Sequence, residues 1–183
     1  MARIIESNTG DPSSTQGAMS STHRIKAALV GGSLAATLDL LYAFAAYAPL
    51  HIGPERILQS IASGWFGAEA YVLGIRSALL GAVSHFTILW LAALCYAVVG
   101  ERWPLLHTQP WRYGVVYGLL IFAIMNAVVV PLSNATVGAP AGWMIIGALF
   151  AHTMLVGVPI AVVAARFATT RVDRTVRVTP LSD

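Results

Sequence analysis

Charge is scarce in this chain. Only 10% of its 183 residues are Asp, Glu, Lys or Arg, while 57% are hydrophobic and the mean hydropathy is +0.71. Soluble globular domains carry about a quarter charged residues, so this composition excludes the soluble enzyme classes and requires an integral membrane protein. The net charge of +3 comes from dispersed arginines rather than a basic patch, which argues against a nucleic-acid partner. Cysteine is nearly absent: the lone Cys95 excludes an internal disulfide and a multi-cysteine metal site, and within its apolar run it reads as core packing. There is no His-Glu-x-x-His, no phosphate-binding glycine loop and no nucleophile motif. Gly31-Gly32 falls inside an apolar stretch, where it reads as helix packing. No catalytic residue is nominated and no cofactor is required; an enzyme is the less favoured class.

What the chain does have is long apolar runs. A bilayer core of about 30 Å takes roughly 20 helical residues. Four segments qualify, at about 27–48, 77–99, 113–131 and 142–165. Gly100-Glu101-Arg102-Trp103-Pro104 closes the second, Pro131 closes the third, and Pro140 opens the fourth as a first-turn proline. The expected fold is an all-α, polytopic four-helix bundle with the bilayer as its partner. Ala46-Tyr47-Ala48 resembles a signal-peptidase site, but an apolar stretch of about 22 residues exceeds a signal core and is read as a retained span.

Charge asymmetry sets the orientation. Arg3, Arg24, Lys26, Arg102, Arg112 and every arginine from Arg166 onward fall on one side, leaving Arg56 and Arg76 on the other. The positive-inside rule then places both termini in the cytoplasm of a bacterial inner membrane. Residues 1–22, rich in Ser, Thr and Gly, are expected to be a disordered tail ending in the basic anchor His23-Arg24-Ile25-Lys26, and residues 167–183 a basic solvated tail. His23, His51 and His107 lie outside the spans and are expected to be solvated.

The first external loop carries a helical pattern. After Pro54, Ile57, Leu58, Ile61, Ala62, Trp65 and Phe66 recur at i, i+3/i+4 spacing, with Glu55, Arg56, Gln59, Ser60 and Ser63 on the other face. This predicts an amphipathic helix in the outer interface, either a simple connector, the favoured reading, or a lid over a cavity.

Each span holds one polar intruder: Asp39, His85, Asn126 and His152. An Asp at the bilayer centre costs roughly 2.5–3.5 kcal/mol on insertion scales, so such groups face a partner or a watery cavity and often carry function. Counting inward at about 1.5 Å per residue puts Asp39, His85 and His152 at a common depth of roughly 12–15 Å, and Asn126 nearer ~8 Å. Gly32, Ala35, Ala36 and Ala43 share the Asp39 face, and Ala78, Gly81 and Ala82 the His85 face, so both should point into the bundle. A carboxylate beside imidazoles can share a proton near physiological pH, which makes proton handling the leading reading. The same three side chains are the candidate ligands of a divalent metal, with Asn126 in support. A third reading is a non-catalytic subunit of a membrane complex, and transport would be easier in a homodimer. Pro159, inward of His152, predicts a kink and a candidate hinge. The pairs Asp39/His85 and Asn126/His152 also suggest an inverted repeat.

His85, the run from Cys95 to Pro104, the Trp111-Arg112-Tyr113-Gly114 segment, Pro131-Leu132 and His152 together resemble the YagU-type family of small bacterial inner-membrane proteins over roughly residues 80–166. The resemblance implies a multi-span protein of a family with no assigned biochemical activity. It implies an acidic residue in the first span and His in the second and fourth, which match Asp39, His85 and His152. Asn126 stands where that family can carry His.

Overall fold

A computed structural model describes residues 21–136 and 142–176, and side chains through residue 168. Every regular element among the described residues is helical. The first span is α1 (Ser21–Tyr47), extended by a 3-10 turn at Ala48–Leu50, and α2 (Pro54–Phe66) is the loop helix. The second span is α3 (Ile75–Arg102), followed by the short α4 (Leu105–Thr108). The third span, α5, begins as Pro110–Ile124, and the fourth, α6, begins as Gly142–Phe150. Four stretches, Ser21–Leu50, Ile75–Arg102, Pro110–Leu132 and Gly142–Ala168, are long and apolar enough to cross a membrane. Exposed Trp65 and Trp143 lie toward one end of the bundle and exposed Trp103 and Trp111 toward the other, the positions tryptophan takes at the two faces of a bilayer.

Small residues decide which helices touch. Gly32 lies against the Leu89–Trp90 backbone of α3, where a Cβ would come within 2.9 Å of the Leu89 carbonyl, and Trp90 Nε1–H donates to Ser33 Oγ across the same seam at 2.9 Å. Gly31 meets Ile160 and Val163 of α6. Gly114 and Gly118 of α5 press on the α6 backbone, and Gly157 presses back. Thus α1 and α6 form the central pair, with α3 flanking one and α5 the other. Tyr117 Oη–H, on α5, closes the arc by donating to the Ala92 carbonyl of α3 at 2.7 Å. The core of Ala28, Ala35, Leu89, Tyr96, Ile160 and Ala164 fills the half of the bundle away from α2.

The last two spans are not plain α-helices. Residues Met125–Val129 of α5 and Ala151–Gly157 of α6 are π-helical, and each stretch ends two residues before a proline, Pro131 and Pro159. The cause is local. Pro159 has no N–H for the Leu155 carbonyl, and next to it Val158 N–H reaches back five residues to Thr153; Val130 N–H reaches Met125 in the same way beside Pro131. The kink expected at Pro159 is therefore a change of helical register.

Several expectations are corrected. Cys95 is exposed on the flank of the bundle rather than packed in its core. His107 is half-buried, stacked edge-on to Tyr96 at 6.4 Å, rather than solvated. The helix of the fourth span continues to Val176, through the first part of the expected solvated tail. Residues 1–20, Pro140 and residues 177–183 lie outside the described residues, whereas Ser21 and Thr22 open α1.

Candidate functional site: an acidic and histidine-lined cavity

One cavity of about 610 Å³ opens at the α2 end of the bundle, between α1, α3, α5 and α6. Asp39, His85 and His152 all line it. Sequence depth had put these three at one level and the small-residue faces had turned Asp39 and His85 inward; in the structure His152 joins them in the same lining.

The α1 backbone brings Asp39 and His85 into register. Ala35 and Ala36 are fully buried against α3, which lets the helices approach until His85 Nε2 lies 3.2 Å from the Ala36 carbonyl and 3.7 Å from Asp39 Oδ2. A carbonyl only accepts, so Nε2 carries the proton and His85 donates it to Ala36, with the Asp39 carboxylate just beyond hydrogen-bond range. Two acceptors thus lie within 3.7 Å of one donor nitrogen, and His85 is only 9% exposed.

His152 is held differently. It sits in the π-helical stretch of α6, whose backbone is pinned by Gly118, where a Cβ would come within 2.6 Å of Thr153 Cα. Its Nδ1 lies 2.9 Å from the Ala148 carbonyl one turn back, so Nδ1–H is the donor and Nε2 keeps its lone pair. Thr153 Oγ1–H likewise donates to the Leu149 carbonyl at 2.7 Å. These side-chain bonds satisfy carbonyls where the ladder changes register. Phe122 stacks edge-on to the His152 ring at 5.4 Å.

Asn126 does not join the layer. It is exposed on the flank of α5, and its Nδ2 donates to the Phe122 carbonyl at 2.8 Å, again beside a π-helical stretch. The support to the histidines expected of Asn126 is therefore absent from this geometry. Among the described residues no group of three or more His, Cys, Asp or Glu side chains is arranged to hold a metal ion, so Asp39, His85 and His152 share a cavity without forming a ligand set.

The roof was the least legible part. Arg56, Ile57, Ser60 and Ile61 of α2 line the cavity, so the helix lies over it as the lid reading required. Its facing differs from the predicted one: Gln59 and Ser63 are 5% and 0% exposed, while Trp65 and Phe66 are exposed. Gln59 Nε2–H donates to Glu55 and to the Gly74 carbonyl, and Gly81 of α3 leaves no room for a side chain under Leu58. Two turns with positive φ at Gly67 (59°) and Gly74 (60°) return the chain from α2 into α3. On its other side α2 is tied to the chain after α5: Asn134 N–H donates to the Gly64 carbonyl at 3.0 Å and Asn134 Nδ2–H to the Trp65 carbonyl at 3.1 Å.

Sequence reasoning missed Arg56 and Tyr71. The Arg56 guanidinium lies over the Tyr71 ring, 3.8 Å from its centroid, and both residues line the cavity mouth. A smaller hollow of about 160 Å³ adjoins the cavity between α1 and the first part of α6 and also touches Asp39 and His152. Tyr42 narrows it, its hydroxyl seated over Gly147 and its ring 5.9 Å from Phe150. No protein-family model, curated protein or solved structure matches this chain.

Proposed function

We propose that this protein handles protons, or a small solute coupled to them, through the cavity floored by Asp39, His85 and His152. The observation that carries the reading is the Asp39–His85 pair, 3.7 Å apart, on the floor of a cavity that opens at the α2 end of the bundle and lies against a packed core. A membrane-buried carboxylate and imidazole that face water from one side and a packed core from the other form an exchange site for one proton. His152, with Nε2 available as an acceptor, is the second station. On the charge asymmetry, the α2 end faces outward from a bacterial inner membrane and both termini are cytoplasmic. The likeness to YagU-type proteins belongs to this proposal for the span architecture and contributes nothing to the mechanism.

The test is proton flux into liposomes holding the purified protein and a pH-sensitive dye, under an imposed pH gradient. Asp39→Asn keeps the shape of the side chain and should reduce flux at least about tenfold, because the remaining amide cannot take up the proton. Flux equal to wild type in Asp39→Asn would sink the proposal.

We further propose that α5 is the face for a second copy of this chain. It is the least buried of the spans and carries Asn126 on its exposed side, where a partner helix offers an amide a polar contact that lipid does not. Asn126→Leu should weaken a cross-linked dimer in nanodiscs; an unchanged dimer fraction would remove this face from consideration.

A further inference from the structure

Two oppositely charged side chains stand at the two ends of the cavity, and among the described residues neither has a Lys, Arg, Asp or Glu partner. Asp39 at the floor has His85 at 3.7 Å and, among the described residues, accepts no hydrogen bond. Arg56 at the mouth lies over the Tyr71 ring, 3.8 Å from its centroid, and its guanidinium is bonded to no described carboxylate. Stacked in this way, a guanidinium is pre-organised for the two-pronged recognition of a carboxylate. Eight residues of α1 separate Asp39 from Tyr47 at the mouth, a rise of about 12 Å. The wall between is mostly apolar, formed by Ile57, Ile61, Ile88, Ile121, Met125 and Met144, with Ser60 and Thr136 as its polar interruptions.

A simple organic cation would meet repulsion from Arg56 on its way in. A simple fatty acid would leave its apolar end against Asp39. Both charges and the wall are matched by a molecule that carries a cation at one end, a carboxylate at the other and an apolar body between them. We infer that the cavity binds an elongated amphoteric small molecule, its ammonium group on Asp39 and its carboxylate on Arg56.

The inference rests on the proton-handling reading and gives it a coupling step. When the pair holds a second proton, as imidazolium beside the Asp39 carboxylate, an ammonium ion arriving at Asp39 displaces it: imidazolium, carboxylate and ligand yield neutral imidazole with its Nε2–H still on Ala36, carboxylate, bound ammonium and one released proton. Charge balances, and the released proton leaves by the cavity mouth.

The full chain in nanodiscs is titrated calorimetrically with ω-aminocaprylate, octylamine and caprylate, with empty nanodiscs subtracting partition into lipid. Two buffers of different ionisation enthalpy report the protons released. ω-Aminocaprylate should bind at least about tenfold more tightly than either single-ended probe, as one charge-assisted hydrogen bond predicts. Arg56→Gln should bring it down to the level of octylamine, with Arg56→Lys between the two, and Asp39→Asn should abolish proton release. Octylamine binding as tightly as ω-aminocaprylate, or an Arg56→Gln variant with unchanged affinity, would overturn the amphoteric ligand. Asp39-dependent proton release by octylamine would at the same time leave the proton-handling reading standing. If no probe binds, liposome flux decides how far the failure extends: Asp39-dependent flux confines it to the ligand class, and its absence removes both.

Discussion

The first two spans and the last two reach the same cavity by different means. In α1 and α3 the polar groups sit on regular α-helices, and their aim follows from which face is small: Ala35 and Ala36 bring Asp39 to His85. In α5 and α6 the proline-linked π-helical stretches re-aim whatever they contain, and the outcomes diverge. His152 turns to the cavity and Asn126 to the flank, although each side chain bonds a carbonyl four residues back. The inverted repeat suggested by the pairing of polar residues therefore has no counterpart in local geometry. A regular helix carries a side chain where its period says; an interrupted one carries it where the interruption says.

The contrast can be broken at Gly118. Its neighbours are the His152–Thr153 backbone of the π-helical stretch, which has no flexible end to move aside. Gly118→Leu should destabilise the bundle by about 3 kcal/mol or more, the upper range for overpacking, and should be read as loss of the folded fraction in a thermal melt. A melt within a degree of wild type would mean that α5 and α6 are not packed as described. A subtler change sharpens the contrast. Pro159→Ala restores an N–H for the Leu155 carbonyl and so favours regular α register through Ala151–Gly157. Proton flux should fall several-fold while the melting temperature changes little, since the change turns His152 without removing it. The corresponding increase in helical regularity has no target in α3, which is regular already.

The smallest expected effect lies at the opposite end of the bundle. Burial of His107 against Gly100 and Tyr96 holds its imidazole below the ordinary value of 6.5, with the Glu101 carboxylate opposing. Glu101 is itself held by Arg24 of α1 at 3.4 Å. Below pH 6.5 the unfolded chain binds a proton at this position more readily than the folded one, so stability is full above that pH and declines as pH falls. His107→Gln should flatten this part of the melting-temperature profile; identical profiles would show that His107 does not contribute to it.

How far the sequence could be read follows the same division. The four spans, the common depth of Asp39, His85 and His152, and the inward facing of the first two were legible, because length, hydropathy and small-residue faces act through regular helical geometry. Asn126 and the orientation of His152 were not, since a change of register defeats counting; Pro131 and Pro159 were the visible signals. Arg56 and Tyr71 escaped because their partnership is made by a loop of two positive-φ glycines that folds one over the other. The facing of α2 was misread because Gln59 and Ser63 find hydrogen bonds inside the protein, so polarity there did not mean water.

The π-helical stretch of α6 also bears on which changes of chain length this fold can absorb. A π turn holds roughly one residue more than the α-helix around it, and the flanking halves keep their faces on either side. Dropping one residue from Ala151–Gly157 would let the helix close into α register with both flanks in place, whereas dropping one from Ile75–Arg102 would rotate half of a span by about 100° and turn its packed face outward. A scan of single-residue deletions along the spans, scored by folded yield, should therefore find tolerance at the stretch that carries His152 and intolerance along α3. The cavity is built beside the one part of α6 that can be shortened without losing the bundle, where a histidine could be gained or re-aimed while the scaffold held still.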